Sequence, residues 1–279
     1  MLLAVLVLYK ERLEGSATFS SLFGASHAFD ERLRLLVYDN SPAPMHAAED
    51  PRLTGGRIAY ISDTSNPGVS KAYNTGAQWA RRLGCTHMLL LDQDTLFPHD
   101  AVSAYIDALE KNWDCPLFAP VLVSGNWIYS PCRSVLNVNL PIRAIDPGRR
   151  GAKGVSLLNG GMCVAVDAFE KIGGFDEAIP LDFADHDFFR RYRRHFDTFL
   201  LLDVRCKHGF SDRETGDFDK AFARFGFYCR GARNAIKTLA DGLSLPVLVF
   251  VRAARLSLRF GSFAFLHAFF RIFLRGQAA

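Results

Sequence analysis

Apolar residues run without a break from Leu2 to Tyr9, and an unalternating run of that length predicts a strand covered on both faces. LRLLVYDNS, from Leu33 to Ser41, repeats the pattern and ends in polar residues before Pro42. RIAYIS (Arg57 to Ser62) predicts a third strand, and THMLLLDQDT (Thr86 to Thr95) a fourth that closes on two aspartates. Amphipathic spacing between them predicts helices at about Thr18 to Phe29 and at Lys71 to Arg82. Strand alternating with helix points to a parallel α/β sheet, whose ligands gather at the carboxyl ends of the strands. Asp39, the loop at Asn66 and the Asp92/Asp94 pair all fall at such ends.

The pattern changes in the second half. Prolines and glycines crowd Cys115 to Arg150 and predict short strands there. VSLLNGGMCVAV reads as a strand pair, AFEKIGGFDE as a helix stopped by a glycine pair, Phe183 to Phe196 as a helix and TFLLLDVRCKHG as a last strand. Beyond Arg213 the pattern is helical throughout, which divides the chain into a domain at 1–212, with halves at about 1–105 and 106–212, and a helical region at 213–279.

Composition narrows the class. Hydrophobic residues make up 49% of the 279 and charged ones 22%, enough for a real core and against disorder. A net charge of +4 excludes nucleic-acid binding over the whole surface. Six scattered cysteines with no CxxC pair suggest buried thiols in a reducing, cytoplasmic compartment. The first apolar run has no basic leader, and no segment reaches the roughly 18 apolar residues of a spanning helix. After Asp241 the chain holds five arginines and no acid, interleaved with phenylalanines. That pattern suits helices lying in an anionic membrane interface; the alternative is a hairpin packed on the domain or on a second subunit.

Four constellations could carry chemistry. In Asp92-Gln93-Asp94 the i, i+2 spacing turns two carboxylates the same way at a strand end, a repulsion that Mg²⁺ or Mn²⁺ would relieve. A solvated acidic turn is the plainer account. In NPGVSKAYNTGAQWA a tight turn leads into a helix N-terminus, where phosphate is favoured, although a capped surface helix would look the same. Asp182, Asp185 and Asp187 gather at another helix start, where acids are favoured for capping alone. His208 follows an apolar strand, a setting in which a lone histidine is usually structural. His99, His186 and His195 suggest no role.

Taken in order, VYDNS, NPGVSKAYNTG, LLLDQDT, NGGMCVAV with GGFDE, and DFADHDFFRR resemble glycosyltransferase family 2 over Leu2 to about Ser211. The resemblance implies an α/β GT-A fold: a nucleotide-binding, mixed and mostly parallel sheet flanked by helices, with the C-terminal helices as a membrane-associating segment. It further implies an inverting, metal-dependent transfer from a nucleotide diphosphate sugar. Within the family the LDQD form is most similar to bacterial rhamnosyltransferases, which implies dTDP-L-rhamnose as donor. By position, Asp39 would contact the nucleobase, Asp92 the ribose and metal shell, and Asp94 the metal, with His208 completing that shell. Asn66, Gly68 and Asn74 would close over the nucleotide beside Gln93, and Asp185 would be the catalytic base. The family often has a basic residue where Tyr73 stands, so Lys71 is the candidate for the diphosphate.

The acceptor would then be a glycan or lipid-linked saccharide at the inner face of the cytoplasmic membrane. Two other classes fit parts of the pattern: a sugar-nucleotide nucleotidyltransferase, although LVLYKERLEG lacks a glycine-rich phosphate loop, and an inactive scaffold that binds nucleotide or membrane.

Overall fold

A computed structural model describes residues 1–24, 30–46, 56–209 and 216–277. The boundary expected at 212 and the end of the helix expected to reach Phe29 lie outside the described residues.

The alternating half folds as its pattern predicts. Strands β1 (Leu2–Leu8), β2 (Leu33–Asp39), β3 (Ile58–Ser62) and β4 (His87–Leu91) lie parallel in the order β4-β1-β2-β3. Every residue of β1 and β4 is buried, which is why neither alternates. Helix α1 (Ala17–Phe23) starts at Ser16, whose hydroxyl accepts the Phe19 N–H, and α2 (Val69–Arg82) covers one face of the sheet. On α2, Gly76 lies so close to Val5 that a Cβ would come within 2.6 Å of its side chain.

After the short β5 (Thr95–Leu96) and α3 (Ala101–Lys111) the sheet continues with mostly antiparallel strands. These are β6 (Leu117–Ser124), β7 (Trp127–Val135), β8 (Val138–Ile142), β9 (Gly148–Gly151), β10 (Val155–Ser156), β11 (Met162–Ala165) and β12 (Thr198–His208). β6 and β7 span 8 and 9 residues, longer than their prolines suggested. Pro120 and Pro131 lie where the β6–β12 and β7–β8 registers shift, so each interrupts the ladder without ending its strand. Helix α4 (Val166–Ile172) ends at the left-handed Gly173, and α5 (Ala184–Tyr192) follows a loop.

The region after residue 216 forms α6 (Phe218–Asn234), α7 (Leu239–Phe260) and α8 (Ala264–Ala268), continued by a π-helical stretch, Phe269–Leu274. α7 opens with a reciprocal cap between Thr238 and Asp241. One side of these helices joins the core of the sheet through Leu245, Val249, Ala253, Leu256, Phe265 and Phe269. The other side of α7 leaves Leu243, Val247, Phe250, Val251 and Leu258 exposed. Arg255, Arg259, Arg271 and Arg275 are exposed as well. Arg252, expected on the same basic stripe, instead stacks 4.2 Å over the Tyr228 ring and is half-buried. No helix among the described residues is long and apolar enough to cross a membrane.

Candidate active site

The parallel register puts the polar ends of the first strands side by side: Leu8 pairs with Asp39, Asp39 with Ser62, and β4 ends one residue before Asp92. Antiparallel pairing of β12 with β5 sets His208 opposite Thr95. These two registers bring Asp92, Asp94 and His208 together, with one ligand atom of each within 4.8 Å of the others. His208 Nδ1 lies 3.6 Å from Asp94 Oδ1 and 3.8 Å from Asp92 Oδ2, on a buried ring. The Thr95 hydroxyl donates to Asp92 Oδ1 at 2.5 Å and lies 2.8 Å from His208 Nδ1. Two carboxylates and an imidazole form a donor set that fits Mg²⁺ or Mn²⁺.

The motif NGG serves this cluster by lacking side chains. A Cβ on Gly160 would meet Asp92 Oδ2 at 3.0 Å and the Thr95 hydroxyl at 3.1 Å. Gly161 holds a left-handed φ of 89° and would strike Pro120.

Asp185 faces the same cleft, about 280 Å³ in volume, lined also by Tyr73, Asp92, Asn159, Asp182, His186, His208 and Arg224. Its Oδ1 accepts the His186 N–H at 2.8 Å. Tyr73 is wholly buried beneath, and burial together with Asp92, Asp185 and Asp94 pushes its phenol well above the usual range. The loop that delivers Asp185 is strained: Phe183, just before α5, has φ +71°. Its ring packs 4.9 Å from Tyr228 of α6, and Arg224 of α6 pairs with Asp182 at 2.8 Å. Gly231 lets the α6 backbone approach, since a Cβ there would sit 2.5 Å from the Asp182 carbonyl.

The remaining expected residues have mixed placements. Asp39 is buried at the strand end and accepts from Ser41 N, Met45 N and the Tyr60 hydroxyl, so it holds its own loop in place. Those hydrogen bonds outweigh its burial and hold its carboxyl below the usual range. Asn66 turns the loop with φ +50°. Gly68, at φ +90°, lets the chain pass Pro180, whose carbonyl oxygen a Cβ would meet at 2.1 Å. Gln93 clamps the end of β1, accepting the Tyr9 N–H at 2.7 Å and donating to its carbonyl. Asn74 bonds Phe175 through both ends of its amide, and Lys71 pairs with Glu177 at 3.5 Å. Asn74 and Lys71 thus join α2 to the loop before α5. Sequence reasoning missed Lys207, which lines a second cleft together with Gln93, Asp94 and His208. Strand alternation was the available signal: in β12, residues 203, 205 and 207 face out between buried neighbours.

Comparisons with known proteins bear on the family and the fold. The family model described as glycosyl transferase family 2 matches residues 18–150. Over 154 residues the chain is 22% identical to dTDP-rhamnosyl transferase RfbF of Shigella flexneri, covering 53% of this chain and 51% of that protein. The chain thus spans about half the length of the curated relative it matches. Among solved structures, GalNAc-T7 with UDP, GalNAc and Mn²⁺ superposes with a TM-score of 0.57 at 12% identity, over 74% of this chain and 43% of that one. Residues 1–349 of S. aureus TarS in complex with UDP superpose with a TM-score of 0.51 at 12% identity, over 94% and 92% of the two chains. At these identities the structural likeness establishes the fold.

Proposed function

Because the chain belongs to glycosyltransferase family 2 and has the GT-A fold, we propose that it transfers a sugar, with inversion, from a nucleotide diphosphate donor to a hydroxyl acceptor. The observation that carries this is that Asp92, Asp185 and His208 line one cleft at the carboxyl ends of parallel strands, while Asp94 joins Asp92 and His208 in one cluster and lines the second cleft, which shares His208. Asp92, Asp94 and His208 would hold Mg²⁺ or Mn²⁺, which offsets the charge that grows on the leaving diphosphate. Asp185 takes the proton of the acceptor hydroxyl as its oxygen bonds to the anomeric carbon. The bond from that carbon to the diphosphate oxygen breaks, and the nucleotide diphosphate leaves with the electron pair. One displacement inverts the centre and needs no covalent enzyme intermediate.

Asp39, Asn66, Gly68 and Gln93 shape the nucleotide side of the site. Lys207 is better placed than Lys71 to meet the diphosphate, because it lies beside Asp94 while Lys71 is paired with Glu177. The match to a dTDP-rhamnosyl transferase supports dTDP-L-rhamnose as donor. The exposed apolar and arginine-flanked side of α7 supports a peripheral place on the inner face of the cytoplasmic membrane, with a lipid-linked or cell-surface glycan as acceptor. The test is turnover of dTDP-rhamnose, UDP-sugars and GDP-sugars with Mn²⁺ and with EDTA. Metal-dependent turnover favouring dTDP-rhamnose is expected. Full turnover in EDTA would overturn the metal role, and preference for another nucleotide would overturn the donor.

A further inference from the structure

Asp241 stands in the first turn of α7, remote in sequence from every motif above, yet its side chain is buried and shared among three elements. Its Oδ2 accepts from the Lys237 and Thr238 N–H groups and from Arg190 Nη1 at 2.7 Å. Its Oδ1 accepts from Asn137 Nδ2 at 2.9 Å, at the turn between β7 and β8. Arg190 also reaches Asp187 Oδ1, and Arg191 holds Asp187 Oδ2, so the first two turns of α5 are tied to α7 through buried charge.

The direction of the second branch follows from chemistry. A carboxylate can only accept, so the Asn137 amide must aim Nδ2 at Asp241 and its oxygen elsewhere. That oxygen lies 2.8 Å from His186 Nε2. Burial and the neighbouring Arg190 push the His186 imidazole down to about 4, so it holds one ring proton at neutral pH. The proton must therefore sit on Nε2, which leaves Nδ1 to face the Ser156 hydroxyl at 3.5 Å. The relay runs from Asp241 through Asn137 and His186 to Ser156, and it passes through the residue whose backbone N–H bonds Asp185.

We propose that Asp241, acting through Asn137 and His186 and through Arg190, is a positioning residue that fixes the first turn of α5 and with it the carboxylate of Asp185. The proposal rests on Asp185 being the base. It also means that the helix with the exposed apolar face holds the reacting end of the cleft.

The test compares Asp241→Asn, Asn137→Gly, the exchange Asn137→Asp with Asp241→Asn, and Asp185→Asn in the full chain. Hydrolysis is measured on dTDP-rhamnose, or on the UDP- or GDP-sugar that wild type turns over with Mn²⁺, alongside donor affinity. The ¹⁵N shifts of labelled histidine report the His186 tautomer. Asp241→Asn places a donor against the Asn137 amide, which must flip and drive the ring proton from Nε2 to Nδ1. Asn137→Gly suits the left-handed backbone at φ +64° and cuts the relay while leaving Asp241 its bonds to Arg190, Lys237 and Thr238, although it also removes the amide bonds to Asp241 and Ser244. Each is expected to lower kcat by about tenfold, since small misplacement of a reacting group is costly, with donor affinity within about twofold of wild type. The exchange restores the pairing from position 241 through 137 to His186, losing only the amide bond to Ser244, so it should return the Nε2 tautomer and most of kcat. Unchanged kcat in both single variants, parallel loss of kcat and donor affinity, or failure of the exchange to rescue would each overturn the proposal. If Asp185→Asn itself keeps full turnover, the base assignment falls instead, and the tautomer shift alone then decides whether the relay exists.

Discussion

The strand ends of the first hundred residues and the helices after residue 216 both shape the cleft, but by different means. Asp92 reaches it directly from the chain that follows β4, whose burial is complete, and Asp94 reaches the second cleft, which shares His208. The C-terminal helices mostly act at one remove: Tyr228 packs on Phe183, Arg224 pairs with Asp182, and Asp241 holds Arg190. One region presents reacting groups and the other holds the loop that presents them. Substitutions should therefore separate rate from stability according to region.

The largest expected effects are on rate. Asp94→Ala, and wild type in EDTA, should lose roughly 10²–10⁴-fold in turnover, the scale of several kcal/mol of charge stabilisation. Asp185→Asn should lose about two to four decades while donor affinity stays near normal. Thermal melts of both variants should stay close to wild type, because neither side chain is fully buried. A collapse of the melt in either would mean that the strand ends are structural, and the contrast between regions would fail.

In the apolar core of the C-terminal region, away from Asp241, the order reverses. Phe265 is buried among Phe218, Phe222, Phe225 and Phe260. Phe265→Ala should cost about 3–5 kcal/mol by denaturant titration, with kcat per folded molecule little changed. The same packing means that these helices share the core of the sheet.

Between these extremes lies Gly68, where α2 meets the loop of the catalytic half. Gly68→Ala adds a Cβ that would come 2.1 Å from the Pro180 carbonyl oxygen on a left-handed backbone. A cost of about 1–3 kcal/mol in stability is expected, with weaker donor binding as the loop is displaced. Wild-type stability in this variant would show that the two halves do not meet there.

How much of this was legible depended on the range of the forces involved. The parallel strands were visible because full burial leaves an apolar run, and the Asp92/Asp94 pair because spacing at a strand end is local. His208 and Asp185 needed the resemblance, since only pairing of β12 with β5 and the packing of α5 bring them to the cluster. Asn74 and Gln93 were expected as donor contacts, and the bonds their amides make to the backbone at Phe175 and Tyr9 were not foreseen. No sequence rule shows which partner an amide will find. Asn137 and His186 were invisible for the same reason: their partners lie 104 and 49 residues away.

The smallest expected effect on stability falls on the outer face of α7, and it tests whether that helix has a second task. Leu243, Val247, Phe250, Val251 and Leu258 follow helical spacing along one exposed stripe, and Leu243 and Leu258 are 77% and 85% exposed. Arg255 and Arg259 continue from Val251 at four-residue steps, along one margin of the stripe. Because these side chains face outward, Leu243→Gln with Leu258→Gln should change stability by no more than about 0.5 kcal/mol per site. If the stripe docks on an anionic leaflet, that pair should lose binding in liposome flotation while retaining turnover on soluble donor. Arg255→Gln with Arg259→Gln should weaken flotation by about 1 kcal/mol per arginine. Salt should weaken the wild-type interaction too, as the screening length shrinks from ~10 Å at 0.1 M to ~3 Å at 1 M. A stripe that instead pairs with a second copy would give a dimer by light scattering, indifferent to lipid charge and lost in Leu243→Gln. Indifference to anionic lipid in full-length protein would remove the membrane from this helix and leave it solely the support of the catalytic half.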